Sequence, residues 1–360
     1  MLSVTNGLIS DVRFGYRIDT DIGPAMPEMN GHRSQPVRRH EMQSPVKTEK
    51  NLLFVHQGAL GDFIVTFPVL RCLGRDYGRI DGICRTGFGH LAKHLAIIDG
   101  FYPQDAARFA TLYSADIDSR VSDLLQAYEC VLLFSFSEAL ENAVRRVKAD
   151  GVHRIPPWPR AEEGIHVTEF LFHRLKAKNV LPKTATMTCH DTGKPQDPAY
   201  SRRIPVPGAR ILISPGAGND SKRWPLTGYL QLAEWLTESG FYPQWVVGPA
   251  ERDLEAALSV RPAPAGPIHR PRSLVQLADL LQSVDGYVGN DSAVSHLAAF
   301  VGLPAVVLFG PSDPKRWRPI GPLVTVLQAG ALTEFKASEV KSGCTDPGWL
   351  EQIPPKMVLE

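Results

Sequence analysis

Short apolar runs alternate with amphipathic stretches through most of the chain. Asn51–His56, Ile80–Cys84, Cys130–Phe134, Arg210–Ser214, Gln244–Val247 and Ala305–Phe309 each read as a buried strand. A further strand begins near Val284. Between these runs the period lengthens to that of a helix. Residues 165–178 place Val167, Phe170, Leu171 and Leu175 on one face, and Ser273–Ser283 does the same with Leu274, Leu277, Leu280 and Leu281. Helices are also predicted over Phe63–Leu73, with Pro68 as a kink or break, and over Leu91–Ile98, Asp118–Tyr128, Tyr229–Ser239 and Asp253–Leu258. Strands that alternate with helices predict parallel sheets with crossover helices.

At 360 residues the chain is long enough for two such units. Prolines 182, 195, 198, 205 and 207 mark the boundary between them. The expected organisation has five parts. Residues 1–48 are a poorly ordered extension, 49–195 a first domain, 196–209 a linker and 210–335 a second domain. Residues 336–360 are a C-terminal segment expected to pack back on the first domain. A hydrophobic fraction of 43% supports sizeable cores. The net charge of +1 gives no reason to expect nucleic acid as a partner. The five cysteines form no metal-binding spacing, so no metal site is expected, and Cys130 reads as a small buried thiol. No run of about 18 apolar residues and no secretory signal pattern is present, which predicts a cytoplasmic protein.

The candidate chemistry lies where strands end. In Val288-Gly289-Asn290-Asp291-Ser292-Ala293-Val294-Ser295-His296 a strand turns into a helix. Gly289 is suited to the turn, and Asn290, Asp291 and Ser292 are N-cap types. Free amides and the positive end of the helix dipole make such a junction an anion site, with His296 one turn on. Ser214-Pro215-Gly216-Ala217-Gly218-Asn219-Asp220-Ser221-Lys222-Arg223-Trp224 follows another strand. Gly216 and Gly218 permit a backbone nest for an anion, Lys222 adds a mobile charge, and Trp224 can brace the turn. Glu251, after the strand ending at Val247, can accept from ribose hydroxyls or simply face solvent. Asp62, in Gly58-Ala59-Leu60-Gly61-Asp62, can be a general base or a plain helix cap. The stiff loop Phe309–Trp317 could wall a nucleotide pocket or serve as a turn.

Together these segments resemble glycosyltransferase family 9, the lipopolysaccharide heptosyltransferases. The resemblance covers about residues 50–325. It rests on Leu60-Gly61-Asp62 with Thr66-Phe67-Pro68, and on Pro215-Gly216-Ala217 with Lys222-Arg223-Trp224-Pro225. It rests further on Val288-Gly289-Asn290-Asp291-Ser292 with His296-Leu297-Ala298-Ala299, and on Phe309-Gly310-Pro311-Ser312-Asp313-Pro314. It implies the GT-B architecture, an α/β fold of two Rossmann-like domains facing across a cleft. It also implies inverting, metal-independent transfer from a nucleotide sugar, typically ADP-heptose, to an anionic glycolipid of the lipopolysaccharide core. The enzyme would visit the inner face of the membrane. By the same resemblance Asp62 is the base and Lys222 holds the pyrophosphate. Gly218, Glu251, Asn290, Asp291, Ser292, Ala293 and His296 belong to the donor site. The chain departs from the pattern at Ala293, where relatives have glycine, and at His56-Gln57-Gly58-Ala59, where a basic residue and serines are usual. Two rival classes share the scaffold: another nucleotide-sugar enzyme such as an epimerase, and a non-catalytic nucleotide-sugar-binding protein.

Overall fold

The computed structural model describes residues 50–114, 116–187, 205–259 and 266–328, with Ile353, Pro355 and Val358. In the first half, strands β1 (Asn51–His56), β2 (Arg79–Cys84), β3 (Gly100–Pro103), β4 (Cys130–Phe134) and β5 (Val152–Ile155) form a parallel sheet ordered β3-β2-β1-β4-β5. In the second, β6 (Arg210–Ser214), β7 (Tyr242–Val246), β8 (Ile268–His269), β9 (Gly286–Asn290), β10 (Ala305–Phe309) and β11 (Val324–Gln328) form a parallel sheet ordered β11-β10-β9-β6-β7-β8. Both are doubly wound. The order reverses beside the first strand of each half, between β1 and β4 and between β6 and β9. At such a switch point the connections leave in opposite directions and open a crevice at the carboxyl ends of the strands.

The crossover helices of the first half are α1 (Leu60–Ile64), α2 (Phe67–Leu73), α3 (Thr86–His94), α4 (Ser119–Gln126), α5 (Glu138–Val147) and α6 (Val167–Ala177). Those of the second are α7 (Leu226–Glu238), α8 (Arg252–Ser259), α9 (Leu274–Gln282), α10 (Ala293–Phe300) and α11 (Pro314–Trp317). None of these helices is long and apolar enough to cross a membrane.

The described residues fall within one compact unit, Val46–Glu360. Its main hydrophobic cluster does not stop at the boundary between the sheets. Phe54, Phe67, Leu70 and Leu171 of the first half continue into Leu277, Leu281, Leu297 and Phe300 of the second. Phe67 meets the Phe300 ring edge-on at 5.1 Å, and the Arg71 guanidinium lies 4.2 Å from the same ring centre. His94 on α3 pairs with Asp279 on α9 at 2.8 Å. That pair is substantially exposed and adds little, whereas the apolar contact excludes water and dominates.

Several expectations shift. The helix expected over Phe63–Leu73 is broken, but before Pro68: the chain forms α1 and α2, separated at Val65 and Thr66. Pro68 sits in the first turn of α2, where its missing N–H costs no helical hydrogen bond. The helix expected at Leu91–Ile98 runs instead from Thr86 to His94, because its apolar residues Phe88, Leu91 and Ala92 begin earlier. The expected extension 1–48 lies outside the described residues, as do 196–204 of the linker. Most of the segment 336–360 also lies outside them. Its described residues correct the expected packing on the first domain. Ile353 and Val358 join the second half's cluster around Ile213, Trp224 and Trp245, and the Ile353 carbonyl accepts the Trp224 indole N–H at 3.2 Å.

Candidate functional site

The site forms where the carboxyl ends of the two sheets face each other. On the second half, β9 delivers Asn290 and Asp291 to the start of α10. Asn290 is fully buried and all its side-chain hydrogen-bonding capacity is used. Its oxygen accepts from the Trp224 amide and the Tyr229 hydroxyl, both at 2.9 Å. Its nitrogen donates to the carbonyls of Pro215 (2.9 Å) and Gly216 (3.4 Å). Asn290 is therefore a bracket tying together the loops after β6 and β9. The side chain, expected among the donor contacts, therefore has no hydrogen-bonding capacity left for a ligand.

Gly289 is likewise not needed for a turn. It lies inside β9, and a Cβ there would collide with the hydroxyl of Tyr287, the neighbour on the same strand face. That hydroxyl meets Ser295 Oγ at 3.0 Å, and Ser295 donates to the Asn290 carbonyl at 2.5 Å. The strand-to-helix junction is thus fixed from within.

Beside this junction a short helical turn, Asp220–Lys222, is opened by Asn219, whose side chain accepts the Ser221 amide at 3.0 Å. The turn aims Lys222 at Asp291, with Nζ–Oδ2 at 2.7 Å. Asp291 is 6% exposed and Lys222 34% exposed, so the ammonium keeps an open side. Ser292 occupies the N-cap of α10 but makes no side-chain cap. The first amides of the helix, from Ala293 onward, are not engaged by it. Gly218 is exposed with open space around it. Glu251 takes the Gly248 amide at 2.5 Å, and a Cβ on Gly216 would overlap its carboxylate. The carboxylate is thereby held against the loop after β6.

On the first half, Asp62 occupies the third position of α1, and its carboxylate faces the Ala59 amide at 3.4 Å. Burial pushes its proton affinity above that of an ordinary aspartate. The Ala59 amide and the Lys222 charge pull the other way. Lys222 thus acts on Asp62 from the opposite half. His56, 1% exposed at the end of β1, packs against Phe63 and Phe134. Neither ring nitrogen has a well-aligned partner. Burial lowers its pKa to about 4, against a smaller opposing effect of the Asp62 main chain. His296 is also held neutral by burial, with a pKa of about 4. It lines the seam between the halves with Ile64, Val65, His166 and Phe300.

Residues that the sequence did not single out complete the seam. The Thr168 amide donates to His166 Nδ1 at 3.2 Å, so Nε2 carries the proton and donates to the Arg318 carbonyl at 2.8 Å. Arg316 donates to the Pro159 carbonyl. The loop after β10 therefore reaches the first half, rather than serving only as a wall for the second. His166 was visible as the start of an amphipathic helix, but only the fold gives it a partner 152 residues away.

Two doubly wound sheets thus face each other across a switch-point crevice, with a lysine and the start of a helix opposite a part-buried carboxylate. The family model described as glycosyltransferase family 9 (heptosyltransferase) matches residues 170–349, half of the chain. The chain belongs to this family. Lipooligosaccharide heptosyltransferase 2 of Haemophilus influenzae is 29% identical over 174 residues, which are 45% of this chain and 49% of that protein. Lipopolysaccharide heptosyltransferase 2 of Escherichia coli K12 is 30% identical over 161 residues, 42% of this chain and 44% of that protein. The chain thus spans about half the length of the curated relatives it matches. The solved structure of E. coli ADP-heptose lps heptosyltransferase II superposes with a TM-score of 0.62 at 18% identity, covering 86% of this chain and 96% of that one. The fold is that of the GT-B heptosyltransferases.

Proposed function

We propose that the protein is an inverting, metal-independent glycosyltransferase that moves heptose from ADP-heptose to an anionic glycolipid acceptor of the lipopolysaccharide core. Family membership and the names of the relatives support the reaction class. The observation that carries the reading is the opposition of Asp62 to the Lys222–Asp291 pair across the seam. Glycosyl transfer creates negative charge on the departing diphosphate. Lys222 and the amides at the start of α10 would receive that charge. Gly218 leaves the backbone open to a phosphate, Ala293 and Ser292 line the helix start, and Glu251, held against Gly216, would accept from a ribose. The acceptor hydroxyl must lose a proton as it attacks the anomeric carbon from the face opposite the diphosphate. Asp62 takes that proton, and its raised proton affinity suits a base better than an ordinary aspartate would. His296 is neutral and contributes hydrogen bonding rather than charge. The enzyme would reach its acceptor from the cytoplasmic side of the inner membrane.

The test combines calorimetry with turnover. ADP should bind in preference to UDP and GDP. ADP-heptose should be consumed only with transfer to a core acceptor, giving the inverted anomer by NMR. In Asp62→Ala transfer should fall by about 10²–10⁴ while ADP binding persists. Full activity in that variant would remove Asp62 from the mechanism. Nucleotide binding without transfer to any core acceptor would overturn the reading itself.

A further inference from the structure

The turn that carries Lys222 has little to hold it in place. Asp220–Lys222 is three residues long and buries none of them. The next residue, Arg223, pairs with Asp220 and Asp253 at 3.1 Å each, but both carboxylates are largely exposed, so these pairs anchor the turn weakly. The firm point is Trp224, which is 3% exposed. Its main-chain N–H donates to Asn290 Oδ1 at 2.9 Å. Its ring meets Tyr229 edge-on at 4.8 Å, and a Cβ on Gly228 would come within 2.7 Å of it. Its indole N–H donates at 3.2 Å to the carbonyl of Ile353, 129 residues further along the chain. A buried indole N–H needs such a partner, because without one it forfeits the bond it makes with water. Ile353 and Val358 are themselves buried and join the apolar cluster around Trp224, Tyr229 and Ile213. The Lys222 turn is thus braced by a side chain that is in turn braced by residues outside both sheets.

We propose that Ile353 and Val358 are positioning residues of the donor site: they fix Trp224, and through it hold Lys222 where its ammonium meets a nucleoside diphosphate. The proposal rests on the glycosyl-transfer reading above, in which the diphosphate is the ligand of Lys222. Neither residue touches the ligand. Without them the indole N–H loses its partner and the ring loses apolar neighbours, so the turn is tied only by its exposed ion pairs and the Asn219 cap. A lysine on a loosened turn spends binding energy on its own ordering, and the affinity for phosphate groups falls first.

The full chain would be compared with a chain ending at Gln352 and, in case that truncation costs folding, with the milder double variant Ile353→Ala/Val358→Ala. Hydrogen exchange reads the turn directly. The amides of Ser221, Lys222, Arg223 and Trp224 are all hydrogen-bonded in the full chain. In both variants they should exchange about tenfold faster or more, while the amides of β6 and β10 keep their protection. Calorimetry should show ADP bound about tenfold more weakly, and adenosine, which offers Lys222 no phosphate, bound as before. A synthetic peptide of residues 349–360 added to the truncated chain should restore both the protection and the ADP affinity. The proposal is overturned if the turn keeps its protection, if β6 loses protection together with the turn, or if ADP and adenosine weaken alike. The function has a separate point of failure. A full chain that binds no ADP would sink the transferase reading, while hydrogen exchange would still decide whether Ile353 and Val358 hold the turn.

Discussion

Asn290 and His56 show how differently two buried polar side chains can be used. Asn290 satisfies two donors and two acceptors, all from the connection between β6 and α7 and the first turn of α7. Asn290→Ala leaves those groups buried without partners, so it should cost about 2–4 kcal/mol in urea unfolding and weaken ADP binding as the loops separate. His56 is the opposite case, a ring whose polarity goes unused. Its folded pKa of about 4 lies below the unfolded value of about 6.5. The unfolded chain therefore takes up a proton between those values while the folded chain does not. Stability is unaffected above pH 6.5 and is lost as pH falls toward 4, on the order of 3 kcal/mol for such a group. His56→Phe should remove that share of the pH dependence, seen as a flatter unfolding free energy between pH 7 and 4.5. His296, depressed to a similar value, should keep its own share.

At the scale of elements, the loops after β6 and β7 act as one unit because the Glu251 carboxylate fills the space a methyl group on Gly216 would need. Gly216→Ala should push Glu251 away from the Gly248 amide. Calorimetry should then show ADP binding weakened by about tenfold or more. The central strands were legible in the sequence. β1, β4, β6 and β10 coincide with the apolar runs Asn51–His56, Cys130–Phe134, Arg210–Ser214 and Ala305–Phe309, because strands covered on both faces are continuously apolar. The edges were not. β3, β5, β8 and β11 are short or only half-buried, and their sequences carry no such run. α5 was missed because its Glu- and Arg-rich surface hides a narrow stripe of Leu140, Ala143 and Val144. The candidate site was legible as strand-end motifs, since backbone chemistry demands glycine, capping residues and a lysine there. What the motifs could not reveal was which side chains turn inward. Asn290 and Ser292 are the same kind of cap on paper, yet one is a bracket and the other leaves the helix start open.

On the scale of the whole molecule, the seam carries the proposed site, because Asp62 and Lys222 belong to different halves and act on each other only while the halves stay together. Polar links such as His94–Asp279 would not secure this in water. The hydrophobic cluster does, running unbroken from Phe54 and Phe67 to Leu297 and Phe300. A surface of that kind recognises its counterpart whether or not a peptide chain connects them. Coexpressed as two polypeptides divided between residues 195 and 196, the halves should copurify and restore donor turnover by complementation. Phe300→Ala should abolish the copurification while leaving the uncut protein folded. The enzyme would then be, in effect, a heterodimer written on one chain, its linker raising the local concentration of partners that already fit.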